Sequence, residues 1–274
     1  MSSVQVGAAL AKSLFAALGP GGTVFLRVGF AALALLLVWR PRLRAYGWSS
    51  YWVALLFGAV LAAMNFSFYL ALSRIPLGVA VTVEFVGPLA VAVFGSRRPL
   101  DVLWVILAAS GILLLAPLES FKGAGIDPVG LGLALLAGAC WAGYILLMAR
   151  VGRVFAGGDG LALALAFGAA LLLPVGAISA GTALLNVPLL LAGAGVALLS
   201  SVIPYSLELE VLRRLPPRVF GILMSLEPGL AAFFGFALLH EQLSTRALAA
   251  ILLVSAASVG AARFGRQKAQ EPGA

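Results

Sequence analysis

The stretch LSRIPLGVAVTVEFVGPLAVAVFG, residues 72–95, places a single carboxylate, Glu84, in the middle of an apolar run. The apolar part of the run, residues 77–95, approaches the ~20 residues that a helix needs to cross ~30 Å of hydrocarbon. A charged side chain at the centre of a bilayer costs about 3 kcal/mol on insertion scales, so it is expected to face other helices or a wet cavity. The stretch therefore predicts a membrane-spanning helix with a glutamate near its midpoint.

The composition of the whole chain agrees with a location in the lipid bilayer. Hydrophobic residues make up 62% of the 274 residues and charged residues only 10%, whereas soluble domains contain roughly 25% charged residues. The net charge of +8 is spread over short loops without an aromatic-interleaved basic patch, which argues against nucleic acid as a partner. A single cysteine, Cys140, excludes an intramolecular disulfide and a cysteine-based metal site. We expect no metal and no cofactor.

Apolar segments follow one another along the chain with short gaps, and strands of alternating polarity are absent, so helices rather than a barrel are expected. We predict ten spans, at 3–18, 22–39, 51–71, 77–95, 101–117, 129–149, 160–180, 187–207, 217–237 and 245–263. The first span is short, since residues 1–18 make at most ~27 Å of helix. We expect the start of the sequence to be late, with some residues of the first helix missing.

The loop charges predict the orientation. With a cytoplasmic N-terminus, the outer loops carry only Arg74, Lys122 and Arg246, and all the other bases outside the spans fall in inner loops or the tail. Lys12 and Arg27 lie within spans. Because cytoplasmic loops are enriched in Lys and Arg, both termini are predicted to be cytoplasmic, which requires an even number of spans.

The opening stretch recurs in the second half of the chain as LRRLPPRVFGILMSLEPGLAAFFG, residues 212–235. When 72–95 is aligned with 212–235 without a gap, eight residues of the first copy are identical in the second, namely Leu72, Arg74, Pro76, Val79, Pro88, Ala92, Phe94 and Gly95. Five helices per half would turn the second copy upside down. Inverted repeats of this kind are typical of secondary transporters, whose substrate site lies near the bilayer midplane at the repeat interface.

The segments NFSFYLALSRIPLGVAVTVEFVGPLAVAVFGSRRPLD and IPYSLELEVLRRLPPRVFGILMSLEPGLAAFFG resemble the drug/metabolite transporter superfamily, in particular EamA-type exporters of the threonine/homoserine efflux group. The resemblance implies an all-α membrane protein of ten helices in two inverted EamA repeats, 1–118 and 127–264, with a cytoplasmic tail at 265–274. It implies a non-enzymatic exporter of small amino acids or related metabolites in the bacterial inner membrane, exchanging substrate for protons. Export of other metabolites or drugs of the superfamily is the alternative within this class.

Glu84 and Glu227 are the candidates for proton coupling or substrate binding. In the alignment of the two copies, Glu84 corresponds to Met224 and Glu227 to Gly87, so the two carboxylates are offset by three positions. This offset is nearly one helical turn, so both carboxylates are expected to face the same interface. A neutral glutamic acid that is hydrogen-bonded between helices is the structural alternative for each.

The two bases inside the spans have different expected roles. Lys12 is a candidate partner for a midplane carboxylate or for a substrate carboxylate, and an ion pair that only locks helices together is its alternative. Arg27 lies near the start of its span. We expect it to snorkel to the outer headgroups, with a functional role as the less favoured alternative.

Further polar and aromatic side chains are candidates for lining a cavity, with interhelical hydrogen bonding or aromatic packing as the alternative. They are Asn65 and Tyr69 at positions i and i+4, Trp141 and Tyr144 at i and i+3, and Tyr205 and Ser206 after Pro204. Pro88 and Pro228 adjoin the two glutamates and are the candidate kinks or hinges, because proline removes a backbone hydrogen bond.

Other classes of function leave no signature in the sequence. HEQLS, residues 240–244, begins like a zinc-protease motif but lacks the second histidine. Neither a G-x-S-x-G elbow nor a phosphate-binding G-x-x-x-x-G-K-[ST] loop occurs, which argues against a hydrolase and an ATP-driven pump. A channel stays open as the rival from a different class, although no repeated carbonyl filter is evident.

Overall fold

The computed structural model describes residues 1–94, 99–115, 126–204, 207 and 226–264. Within these ranges the regular structure is entirely helical. The helices are α1 (Ser2–Ser13), α2 (Phe15–Trp39), α3 (Trp48–Leu72), α4 (Leu77–Glu84), α5 (Val86–Phe94), α6 (Pro99–Leu115), α7 (Pro128–Val154), α8 (Asp159–Ala180), α9 (Val187–Ala197), α10 (Glu227–Leu239) and α11 (Thr245–Phe264). A π-helical turn, Leu198–Val202, continues α9.

Several of these helices are able to span a membrane. Four segments are long and apolar enough by length and composition, namely Phe15–Trp39, Trp48–Leu72, Pro128–Val154 and Asp159–Leu185. Shorter apolar helices cover Leu77–Val91, Val187–Val202, Glu227–Leu239 and Thr245–Gly260. The prediction of an all-helical protein with several membrane-capable helices is confirmed.

The first two predicted spans, 3–18 and 22–39, are separated by a break in the helix at Gly19, although the first helix already ends at Ser13. α1 ends at Ser13, and α2 already begins at Phe15 with a kink at Gly19, whose φ of 64° is left-handed. Pro20 follows the kink and lacks the N–H that a regular helix would use. A Cβ at Gly19 would also overlap the Ser179 hydroxyl oxygen, and the left-handed backbone at this position favours glycine.

The predicted span 77–95 is broken in two. α4 ends at Glu84 and α5 begins at Val86. Pro88 accounts for the break, because its nitrogen carries no hydrogen for the Glu84 carbonyl and its ring crowds the carbonyl four residues earlier. The chain then resumes helical bonding, with the Leu89 N–H donating to the Phe85 carbonyl at 3.2 Å. Glu84 is therefore the last residue of a helix rather than the middle of one.

Packing between the helices brings distant parts of the sequence together. α2 packs against α8, α3 against α7 and α8, α4 against α10, and α6 against α11. The pair α4 and α5 also lies against α7, while α1 contacts the π-helical turn and α10. These contacts surround the space in which the polar side chains of the helix interiors meet.

The approach of α4 and α5 to α7 is a contact between backbones. A Cβ at Gly138 would lie 2.6 Å from the Glu84 carbonyl oxygen, and one at Gly87 would overlap the Gly138 carbonyl. Only glycine at these positions allows the helices to come so close. Cys140, half-buried, follows shortly after Gly138 on α7.

Candidate functional site

A cavity of about 110 Å³ lies between α1, α2, α3, α4, α7, the π-helical turn and α10. This volume holds several water molecules or a small polar molecule. Among the described residues, six polar side chains line it, namely Gln5, Arg27, Asn65, Glu84, Ser200 and Glu227. Phe68, Trp141 and Tyr144 contribute aromatic surface.

The two candidate carboxylates meet at this cavity. Glu84 is 9% exposed and Glu227 is 6% exposed. Gln5 Nε2 donates to Glu227 Oε1 at 3.2 Å. Glu227 lies in the first turn of α10, where the helix dipole favours a negative group, whereas Glu84 lies at the opposite end of α4. The structure thus brings both residues to one interface, in different helical settings.

Arg27 is buried beside the cavity, so the prediction that it snorkels to the headgroups is wrong. It is 8% exposed. Nε donates to Ser201 Oγ at 3.1 Å, Nη2 to the Ser200 carbonyl at 3.1 Å and Nη1 to Tyr69 Oη at 3.4 Å. Burying a guanidinium is tolerable when its N–H groups find acceptors. Here the π-helical turn and Tyr69 supply them, and this kind of helical irregularity is frequent at functional sites.

The predicted lining residues divide into two groups. Asn65, Trp141 and Tyr144 do line the cavity. Asn65 Nδ2 donates to the Leu61 carbonyl at 2.8 Å, which orients its amide. Trp141 packs edge-on against Phe85, with ring centroids 5.5 Å apart.

Tyr69 lies behind the cavity wall instead of on it. It is fully buried, and its ring centre is 5.4 Å from the carbon of the Arg27 guanidinium. Its role is therefore to hold Arg27 by a hydrogen bond and a cation–π contact. Tyr205 and Ser206, the remaining lining candidates, fall outside the described residues.

Lys12 lies away from the cavity and pairs with a different carboxylate from the one the sequence suggests. Because α1 ends at Ser13, Lys12 lies in its last turn. Lys12 Nζ donates to Glu241 Oε1 at 2.5 Å and to the Ile75 carbonyl at 3.4 Å. Glu241 Oε2 accepts the Leu77 N–H at 2.8 Å. The pair joins α1, the start of α4 and the α10–α11 loop at one end of the bundle.

Comparison with known proteins decides the family. The chain is 43% identical over 270 residues to "Threonine/homoserine exporter RhtA" of Escherichia coli (strain K12), covering 98% of this chain and 91% of that protein. The RhtA protein of Salmonella typhimurium (strain LT2) matches with the same identity and coverage. The model of the EamA-like transporter family matches residues 128–262. The chain belongs to the EamA-like transporter family. The resemblance identified from the sequence is confirmed.

A solved crystal structure is similar in fold to this EamA-like chain. It aligns with a TM-score of 0.55 over 97% of this chain and 99% of its own. The identity is 21%, so the likeness shows the fold alone.

Two residues of the EamA-like cavity, Gln5 and Ser200, escaped prediction from the sequence. Each is a polar residue inside an apolar run, which is the available signal. Gln5 is 1% exposed and Ser200 is 3% exposed. Among the described residues, Gln5 Oε1 and Ser200 Oγ have no hydrogen-bond partner. The same part of the chain holds no group of three or more His, Cys, Asp or Glu residues that could bind a metal ion.

Proposed function

We propose that the chain is a secondary transporter that exports small amino acids of the threonine and homoserine type. The observation that carries the proposal is that two buried carboxylates, Glu84 and Glu227, line one cavity together with Arg27. An amino acid carries an ammonium group and a carboxylate group. The cavity offers acidic side chains for the first and a basic side chain for the second. Relatives that are 43% identical over nearly the whole chain are named threonine/homoserine exporters.

The proposed architecture is ten membrane-spanning helices in two inverted repeats, 1–118 and 127–264, with both termini and the tail 265–274 in the cytoplasm of a bacterial cell. The packing supports this arrangement. α2 contacts α8, α4 contacts α10 and α6 contacts α11, and each pair joins predicted spans that occupy the same place in the two halves. In a pair of repeats related by a two-fold axis, a helix near the axis packs against the corresponding helix of the other repeat. The three contacts named above follow this pattern.

The proposed mechanism is exchange of substrate for protons with alternating access. A carboxylate in the cavity binds either a substrate ammonium or a proton, because both compete for the same negative charge. When the cavity faces the cytoplasm, loss of the proton allows the substrate to bind. When it faces outward, protonation of the carboxylate releases the substrate. Glu84 and Glu227 are both candidates for this role, with Pro88 and Pro228 beside them as candidate hinges.

The experiment is efflux from proteoliposomes loaded with threonine, homoserine, simple amines or drugs, with and without a pH gradient. Glu84→Gln and Glu227→Gln should each reduce pH-driven amino-acid efflux at least about tenfold, since the buried opposite charge is lost. Both variants should keep their thermal unfolding transition. Asp127→Asn, which changes a carboxylate outside the cavity, is the matched control and should transport like the unchanged protein.

Three outcomes would contradict the proposal. Normal transport by both glutamine variants, with unchanged pH dependence, would remove the coupling role. Efflux of amines or drugs without amino acids would place the substrate in another class. Conductance at channel rates, without saturation, would favour a channel over a carrier.

A further inference from the structure

Two buried oxygen atoms in the cavity wall point to a polar ligand. Gln5 Oε1 and Ser200 Oγ are enclosed, and neither has a hydrogen-bond partner among the described residues. Both residues line the cavity. Buried polar atoms are nearly always hydrogen-bonded in folded proteins, so a pair of exceptions on residues that line one cavity needs an explanation. A ligand with its own hydrogen-bonding groups supplies one.

Arg27 and Ser200 mark one part of this cavity. The Arg27 guanidinium is fixed in direction by Tyr69, Ser201 and the Ser200 carbonyl. A guanidinium held in this way presents a planar set of N–H donors, which matches the geometry of a carboxylate. The Ser200 hydroxyl belongs to the π-helical turn that also contains Ser201. It is a further donor for an anionic oxygen.

Glu227 and Gln5 mark another part, with the opposite preference. Gln5 Nε2 donates to Glu227 Oε1, which directs the amide and leaves Gln5 Oε1 as an acceptor. A carboxylate beside an amide oxygen is a suitable environment for an ammonium group, which has three donors and no acceptor.

We propose that the cavity binds an amino acid as a zwitterion, with its α-carboxylate at Arg27 and Ser200 and its α-ammonium at Glu227 and Gln5. This inference deepens the proposed function and rests on it. Both charged ends of the ligand are required. An amine without a carboxylate brings no anion to Arg27 and Ser200, and an N-acylated amino acid brings no cation to Glu227 and Gln5.

The test is equilibrium binding of radiolabelled L-threonine to the purified chain in lipid nanodiscs. The competitors are L-threonine, L-threonine methyl ester, which lacks the negative charge, and N-acetyl-L-threonine, which lacks the positive charge. We expect each derivative to compete about a hundredfold more weakly than threonine, because each loses one of the two ionic contacts with a buried side chain. This comparison uses the unchanged protein and does not depend on the folding of any variant.

Variants then assign each end of the ligand to its residue. Arg27→Gln should weaken threonine binding about a hundredfold. Binding of the methyl ester, measured by thermal shift, should change less than about threefold. Glu227→Gln should also weaken threonine binding about a hundredfold, and it should change the binding of N-acetyl-L-threonine less than about threefold. Arg27→Lys keeps the charge but not the planar fork, so intermediate binding is expected. Arg40→Gln, at the exposed end of the same helix α2, is the control and should bind threonine normally.

Equal competition by threonine and its methyl ester would overturn the inference, even if efflux of threonine supports the proposed function. Equal weakening of both ligands by Arg27→Gln would overturn it as well. If labelled threonine does not bind, the same compounds are screened by thermal shift alone. Stabilisation by amines only, or by no amino acid, then rejects the zwitterion site. The efflux panel separately decides whether the chain exports amino acids at all.

Discussion

The two cavity carboxylates each adjoin a proline, yet they occupy opposite ends of their helices. Glu84 is the last residue of α4, and Pro88 follows it one helical turn later. Glu227 is the first residue of α10, and Pro228 follows it directly. In the first case proline leaves the Glu84 carbonyl without its helical donor. In the second, proline occupies a position whose N–H has no helical partner in any case.

The position that Glu227 occupies has a different role in the first half of the chain. When 72–95 is aligned with 212–235, Glu227 corresponds to Gly87, and Gly87 is the residue whose backbone meets Gly138 on α7. One half of the chain uses this position for close helix contact, while the other uses it to present a carboxylate to the cavity. Corresponding positions of two similar stretches therefore do not carry the same role.

The largest expected effect concerns the backbone contact on the Glu84 side. Gly138→Ala places a methyl group against the Glu84 carbonyl oxygen and should destabilise the protein by about 1–3 kcal/mol. Thermal unfolding in detergent measures the loss. Gly132→Ala on the same helix and Gly229→Ala on α10 are the controls, because a Cβ at either position meets nothing within 4 Å. Equal effects at all three glycines would show that the contact is not special to this region.

The two prolines offer the next test. Pro88→Ala restores a donor for the Glu84 carbonyl and allows α4 and α5 to join. We expect stability to rise by about 1 kcal/mol and the initial efflux rate to fall roughly tenfold as the break is lost. Pro228→Ala should change stability by less than ~0.5 kcal/mol, because the first helical turn tolerates either residue. Parallel loss of efflux in both variants would mean that the two regions act alike.

A smaller effect on stability is expected at Glu241, whose side chain links the start of α4 to the end of α10. Glu241 accepts the N–H that begins α4 and follows the end of α10. Lys12→Gln and Glu241→Gln should each cost about 0.5–1 kcal/mol, given that both side chains are partly exposed. A double-mutant cycle by thermal unfolding should show that the double variant loses little more than either single variant. Additive losses would contradict a direct link.

The smallest effect is expected at the exposed pair of Arg74 and Asp127, which precede α4 and α7. The hydrogen bond from Arg74 Nη1 to Asp127 Oδ2, 3.0 Å long, lowers the pKa of the Asp127 carboxyl, and the Val129 N–H adds to this. Because the folded pKa is the lower one, the stabilisation is present above the unfolded pKa of ~3.9 and is lost as pH falls through the folded value.

Between pH 5 and pH 8 the contribution of this pair should therefore be constant, and Asp127→Asn should unfold slightly more easily throughout that range. Below the folded pKa the variant and the unchanged protein should converge. Unfolding measured from about pH 2 to pH 8 checks this. A transport defect in Asp127→Asn as large as that of Glu84→Gln would break the distinction between cavity and surface carboxylates.

Hydropathy and depth were sufficient to predict the helical membrane fold and to bring Glu84, Glu227, Asn65 and Trp141 to attention. Both properties are local to the sequence, and they do not predict which distant residue pairs with a buried charged side chain. Arg27 is held by Ser201, 174 positions away, and Lys12 by Glu241, 229 positions away. The break at Glu84 was foreseeable in position from Pro88, but the backbone contact that accommodates it comes from Gly138 on another helix.

Cys140 gives the molecule a practical property. It is the single thiol in the chain and lies close in sequence to the Gly138 contact and next to Trp141 of the cavity wall. A maleimide fluorophore or spin label that reacts with this half-buried thiol would therefore attach at one known place, without any cysteine being removed first. The native sequence already contains its own attachment point for following, by spectroscopy, how α7 moves relative to α4 and α5.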